Sequence, residues 1–224
     1  HAFIAEHTEG FEAFADDLSL VGTGQVDSVA RPGGNTTGVS MLGRLLDIKR
    51  LEVLHELAPR ARRIGVITDG TRAARGELPK FEEAARRLGL APTVVHVETV
   101  DGIAPGMAAL EGAGVEAVQF FASTFLQATR ARFVAEMTRM NLPAMYEWPE
   151  TVEEGGLSSY GPRLTLCFRH VAVLVSKVLK GARPAGLPIE QPNIFTLAIN
   201  VGAARRIGFV VPETMLLRAD LLVD

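Results

Sequence analysis

Between residues 42 and 147, stretches with helical periodicity alternate with short, continuous apolar runs. The first helical stretch carries its apolar residues on one face and stops before Pro59, and a buried strand pattern follows at 63–68. The alternation predicts further strands at 93–98, 115–121 and 143–147, between helices at 79–88, 103–111 and 126–140. Strands that alternate with helices through short connections form a parallel sheet covered on both faces.

The pattern changes beyond residue 156. A short strand is predicted at 157–160 and an apolar helix at 164–179, and prolines hold a connector at 182–192 extended. A strand at 194–199 follows, and Asn200 then caps a short helix.

Polar side chains follow three of the predicted strands. Ligands of open parallel sheets bind beyond the carboxyl ends of the strands, so we predict ligand contacts there. The candidates are Asp69, Thr71, Ser123, Thr124, Glu147 and Trp148. Each of them could instead have an ordinary structural role in its own loop or helix. Ser123 or Thr124 could cap the following helix, and Trp148 could pack under the next loop instead of stacking on a ligand.

Composition argues against several other classes of protein. The chain has 224 residues, a formal net charge of −3 and no basic stripe, so we expect no nucleic-acid partner. Its single cysteine, Cys167, rules out an internal disulfide and is expected to be a buried thiol. The five histidines are widely spaced, and both the Gly-x-Ser-x-Gly elbow and the P-loop motif are absent. We therefore expect no metal, no cofactor and no catalytic residue.

Five segments occur in a recognisable order along the chain. They are ARPGGNTTGVS (30–40), KRLEVLHELAP (49–59), EEGGLSSYGP (153–162), KVLKGARPAGLPIEQP (177–192) and LAINVGAARRIGFVVPETMLLRAD (197–220). Together they closely resemble the ABC-transporter substrate-binding proteins of the type I periplasmic class, in the branch that includes aromatic amino-acid binders. The resemblance covers about Ser19–Asp224, and none of the segments is a catalytic signature.

The resemblance implies an α/β fold of two doubly wound, parallel-sheet lobes joined by hinge crossings. Lobe one would hold residues 1–40 and 156–191, and lobe two would hold 41–155 and 192–224. A doubly wound lobe usually needs on the order of 100 residues, so we expect an incomplete N-terminal lobe. Either its opening βαβ units lie outside this sequence, or the lobe is rebuilt. Further candidate ligand contacts fall on the lobe-one side, at Ser19, Ser40 and Tyr160, with Ser158 and Ser159 beside Tyr160.

The family's role implies a binding protein that clamps a small-molecule solute between its lobes and presents it to an ABC permease in the membrane. It implies a periplasmic or extracellular location, soluble or lipid-anchored, although no signal peptide opens this sequence. For an amino-acid solute, Glu147 would pair with the ammonium group, and the Ser123 and Thr124 hydroxyls with the carboxylate. The alternative is a ligand-sensing domain of a signalling or regulatory protein, because one fold serves both roles. A two-lobed racemase is not expected, since Cys167 alone cannot supply its paired cysteines.

Overall fold

The computed structural model describes residues 12–16, 26–43 and 46–224, and for 12–16 and 72–75 it describes the backbone alone. The chain divides into two compact units. Unit one contains the described residues up to Gly43 together with Pro162–Phe195. Unit two contains the described residues between 44 and Gly161 together with Thr196–Asp224.

Strands and helices alternate through most of the described chain. In order, they are β1 (Glu12–Asp16), β2 (Thr36–Ser40), α1 (Asp47–Leu57), β3 (Arg63–Thr68), α2 (Arg72–Arg87), β4 (Ala91–His96), α3 (Ile103–Gly112), β5 (Ala117–Phe120), α4 (Thr124–Ala128), α5 (Arg130–Arg139), β6 (Ala144–Tyr146), α6 (Pro149–Glu153), β7 (Ser158–Gly161), α7 (Leu164–Leu179), β8 (Thr196–Asn200), α8 (Val201–Arg206), α9 (Glu213–Arg218) and β9 (Leu221–Val223). Short 3-10 turns lie at Val100–Gly102 and Pro184–Gly186.

In unit one, the long helix α7 packs on two strands. β1 and β2 pair in parallel over their whole length. Val39 of β2 packs with Cys167 and Leu174, the buried side chains of α7. The prediction of a buried thiol at Cys167 is therefore confirmed.

The described residues of unit two form a seven-stranded sheet in the order β4-β3-β5-β6-β7-β8-β9. Successive residues of a strand face opposite sides of a sheet, and both sides are apolar here. Val66 and Ala117 belong to the core that includes α1 and α2, whereas Ile67 and Val118 belong to the core that includes α3 and α5. Helices therefore cover both faces, as the alternating pattern predicts.

The strand β7 shows where the observed units differ from the lobe boundaries that the sequence suggested. It pairs in parallel with β6 and antiparallel with β8. These ladder hydrogen bonds place residues 156–161 in unit two rather than in lobe one, while 192–195 belong to unit one. The strands that the alternating pattern between residues 42 and 147 predicted are all parallel, and the one antiparallel step among the described strands of this sheet lies beyond that range, at β8.

Two helices also differ from the prediction. α2 begins at Arg72 and continues through Pro79, where the sequence predicted its start, although a proline inside a helix removes one backbone hydrogen bond. The predicted helix at 126–140 is two helices, α4 and α5, which meet at Thr129. The Thr129 hydroxyl donates to the carbonyl oxygen of Phe125 at 2.7 Å, and such bonds to the preceding turn bend helices.

Candidate functional site

The carboxyl edge of the unit-two sheet brings several polar side chains together. β3, β5 and β6 run parallel, so the residues that follow them lie at one edge. α1 begins at the same edge, where the Gln119 side chain donates from Nε2 to the carbonyl oxygen of Asp47 at 2.7 Å. The predicted candidates Asp69 and Glu147 directly follow β3 and β6, and Ser123 lies three residues after the end of β5.

Glu147 is the central group of this edge. Glu147 is 2% exposed, and its Oε1 accepts a hydrogen bond from the backbone N–H of Ser123 at 3.2 Å. Burial raises the pKa of Glu147 to about 7, since water no longer stabilises the carboxylate. The nearby Arg50 guanidinium and the Ser123 N–H oppose this rise, and the negative charge of Asp69 adds to it. Glu147 can therefore change its protonation state near neutral pH.

Arg50 lies beneath the site and was not predicted from the sequence. Its side chain is fully buried, and Nη1 forms an ion pair with Asp47 Oδ1 at 2.9 Å. Its Nε donates to the carbonyl oxygen of Tyr160 at 2.8 Å, and its Cζ lies 6.0 Å from the centroid of the Trp148 ring. A signal was present in the sequence, because Arg50 precedes the buried Val53 and Leu54 by three and four residues. A charged residue on an apolar helix face marks a buried ion pair.

Gly161 allows β7 to end close to this cluster. A Cβ at Gly161 would collide with the carbonyl oxygen of Glu147, and it would lie 3.3 Å from Arg50 Nη2. The absence of a side chain therefore lets the end of β7 and the chain after β6 approach each other.

Tyr160 and Trp148 contribute to this edge from within unit two. Tyr160 lies in β7 of unit two, half-buried against the core, whereas the sequence analysis expected it on the lobe-one side. Trp148 is 4% exposed and precedes α6, and the guanidinium of Arg50 lies over its ring.

The other candidates lie in different surroundings. Thr71 and Thr124 are exposed, and the N–H of Thr71 donates to Asp69 Oδ1 at 3.0 Å. Ser40 ends β2 of unit one, where it is buried and its hydroxyl has no hydrogen-bond partner among the described residues. Ser19 lies outside the described residues.

Two further buried polar atoms lie near the site, and the one on Gln119 was missed by the sequence analysis. Gln119 Oε1 and Ser159 Oγ have no hydrogen-bond partner in the described part of the chain. Gln119 interrupts an apolar strand in β5, which is a readable signal of an unusual buried polar group. Its amide is already fixed on the donor side by Asp47, so the acceptor side stays available.

No three histidine, cysteine, aspartate or glutamate side chains among the described residues are grouped so that they could hold a metal ion. None of the described helices combines the length and the apolar character that a membrane span requires.

The fold and the position of the polar cluster define a class of protein. The chain has a mixed α/β, type I periplasmic-binding-protein-like fold, with a mainly parallel sheet, flanking helices and polar groups at the carboxyl edge. Residues 13–223 match the family model described as ABC transporter substrate binding protein, and the chain belongs to that family. It is a family of substrate-binding proteins.

Solved structures show the same fold at low sequence identity. A crystal structure of an ABC domain in complex with L-Trp from Streptococcus pneumonia has a TM-score of 0.78 and 23% identity, over 91% of this chain and 70% of that one. A conserved domain protein from Vibrio cholerae has a TM-score of 0.79 and 22% identity, over 91% of this chain and 68% of that one. A substrate-binding protein with adhesive properties from Clostridium difficile, in its ligand-free, open structure, has a TM-score of 0.65 and 19% identity. That match covers 94% of this chain and 70% of the other. No curated protein sequence matches the chain significantly.

Proposed function

We propose that this chain is the solute-binding component of an ABC importer, and that it binds a small molecule with an ammonium group at the carboxyl edge of the unit-two sheet. The observation that carries the proposal is Glu147, a buried carboxyl group among polar groups that follow parallel strands. A solute ammonium group beside Glu147 would stabilise the carboxylate that burial disfavours. An amino acid is the simplest solute with this charge.

The same edge offers partners for a solute carboxylate. The Ser123 hydroxyl accepts from the N–H of Leu126 at 3.4 Å, so its own proton can be donated to an acceptor. The exposed Thr124 is adjacent to it in the sequence. Asp69 follows β3 at the same edge, and its negative charge favours a cation near Glu147. The L-Trp complex of the structural relative supports an amino acid as the first solute to test.

Membership in the family supports two further proposals. The partner of the loaded protein is an ABC permease in the membrane, and the protein works in the periplasm or at the cell exterior. Both follow from the role of the family's substrate-binding proteins in transport.

Replacing Glu147 by glutamine tests the ammonium contact. Glutamine keeps the shape and can still accept from the Ser123 N–H, but it cannot balance a positive charge. We expect Glu147→Gln to weaken L-tryptophan binding about 30-fold or more in calorimetric titrations at pH 8, because removing one partner of a buried charge pair costs roughly 2–5 kcal/mol.

The matched control is Glu153→Gln, which makes the same change at an exposed position of α6. It should bind L-tryptophan as the wild-type chain does. Equal affinities of the wild type and Glu147→Gln would remove Glu147 from the solute site.

A further inference from the structure

A separate cavity lies at the amino edge of the unit-two sheet, at the opposite end of the strands from Glu147. It is lined by the turn after α1, by the residues just before β5 and β6, and by the segment between α8 and α9. None of the candidate ligand contacts lines it. The cavity measures about 720 Å³, which lies within the range of roughly 300–1,000 Å³ that is usual for small-molecule sites.

One wall of the cavity is the turn that follows α1, and hydrogen bonds hold this turn in place. Arg62 Nη1 donates to the carbonyl oxygens of Pro59 and Ala61, each at 2.9 Å. The backbone N–H groups of Arg62 and Arg63 donate to Glu116 Oε2 at 2.7 and 2.9 Å. The turn is therefore fixed both within itself and to the residue that precedes β5.

Another wall is the segment after α8, which a Schellman motif fixes. The N–H of Gly208 donates to the carbonyl oxygen of Arg205 at 3.2 Å, and the N–H of Phe209 donates to that of Ala204 at 2.9 Å. Gly208 has a φ of 64°, which glycine adopts without strain. Phe209 packs against the core that includes α1 and α2, whereas Val210 is 86% exposed. The cavity thus has a fixed apolar wall that reaches the solvent.

The charges at the cavity favour an anion. Arg60 and Glu116 are the ionisable residues that line it, and Glu116 is already compensated by backbone N–H groups and by Arg63 Nη2 at 3.1 Å. Arg60 is exposed, and it has no hydrogen bond or ion pair with any described residue. Glu56 and Glu213, the carboxylates that flank the lining segments, do not line the cavity. The guanidinium group of Arg60 can therefore bind a carboxylate.

We propose that this cavity binds a small carboxylate with an apolar body, of the size of a medium-chain fatty acid or an arylalkanoic acid. Arg60 binds the carboxylate group, and Phe209 and Val210 contact the apolar body. The volume and the fixed walls suit a small molecule, because such sites are concave, mostly apolar and largely formed in advance. This site is distinct from the proposed solute site, and it does not depend on the proposed function.

Octanoate is the probe for this cavity. In a titration of the full chain at pH 7, proton–nitrogen NMR spectra should show saturable shifts of the amide signals of Arg60, Gly208 and Val210. Octanol has the same chain length without the charge, and it should bind there about fivefold more weakly, which is the upper range for an exposed ion pair. Equal affinities for octanoate and octanol overturn the proposal. Saturable shifts confined to residues around Ser123 overturn it as well.

Replacing Arg60 by glutamine tests the carboxylate contact at an exposed position, where the fold does not depend on the side chain. Arg60→Gln should weaken octanoate binding about fivefold and leave octanol binding unchanged. Arg132→Gln is the matched control, since Arg132 is exposed on α5 and does not line the cavity. It should bind octanoate as the wild type does. An Arg60→Gln variant with the wild-type affinity for octanoate refutes the proposal.

A glutamate at residue 210 tests the other wall independently of Arg60. Val210→Glu places a negative charge beside the proposed site, so octanoate should lose its advantage over octanol. An unchanged preference for octanoate contradicts the proposal. L-tryptophan binding should be the same in all of these variants. Octanoate binding without L-tryptophan binding refutes the proposed function alone, and the reverse result refutes this inference alone.

Discussion

Replacing Arg50 by methionine is expected to lower the free energy of unfolding by about 3–5 kcal/mol at pH 7, because it leaves a buried carboxylate without its cation. Arg50 is fully buried between Asp47 and the Tyr160 carbonyl oxygen, and it lies over the Trp148 ring. Methionine fills part of the space, but it donates no hydrogen bond. Urea unfolding followed by the fluorescence of Trp148, the only tryptophan, measures the change.

Lys49→Met is the matched control for this prediction. Lys49 is the preceding residue of α1, and its side chain is 45% exposed in a pair with Glu52. Exposed ion pairs of this kind contribute only about 0–1 kcal/mol. The control should therefore unfold close to the wild-type midpoint. A stability of Arg50→Met within about 1 kcal/mol of the wild type would show that the buried ion pair does not support unit two.

The stability of the chain should fall as the pH rises from about 4.5 to about 7, through the contribution of Glu147. The folded-state pKa is about 7 and the ordinary value is 4.5, so in this window the folded chain holds a proton that the unfolded chain has released. The stabilisation is complete below about 4.5, and it is lost as the pH passes 7. The difference amounts to roughly 3 kcal/mol across the window.

Comparing the wild type with Glu147→Gln isolates this contribution. Other carboxyl groups act in the opposite direction, since hydrogen bonds from the backbone of Arg63 and Arg62 lower the pKa of the exposed Glu116. Glutamine at residue 147 should remove only the fall in stability with rising pH that Glu147 causes. The variant should therefore gain stability relative to the wild type as the pH is raised from 4.5 to 8. Parallel pH profiles of the two proteins would contradict a buried, titrating Glu147.

The sequence predicts much of the carboxyl edge, because periodicity and strand order suffice for it. Each of Asp69, Ser123 and Glu147 follows a short, mainly apolar run, and parallel strands bring the ends of such runs to one edge. This prediction requires no knowledge of contacts between residues that are distant in the sequence. The same reasoning explains the two apolar faces of the unit-two sheet.

The parts that the sequence did not predict depend on contacts between distant residues. Residues 156–161 belong to unit two through pairing with β6 and β8, and no local pattern specifies those partners. Arg50 was missed because the helix was described by its apolar residues alone, although its place on the buried face is visible in the spacing. Its partner Tyr160 is 110 residues away in the chain.

Proton release on solute binding is the most direct test of the central claim that Glu147 meets a solute cation. Calorimetric titrations of L-tryptophan at pH 6, in buffers with different ionisation enthalpies, measure it. Below its pKa of about 7 the free Glu147 is mostly protonated, so binding of the ammonium group should release close to one proton at pH 6 and almost none from this residue at pH 9. Glu147→Gln should release none at either pH. Binding of L-tryptophan by the wild type with no proton release at pH 6 would contradict the account.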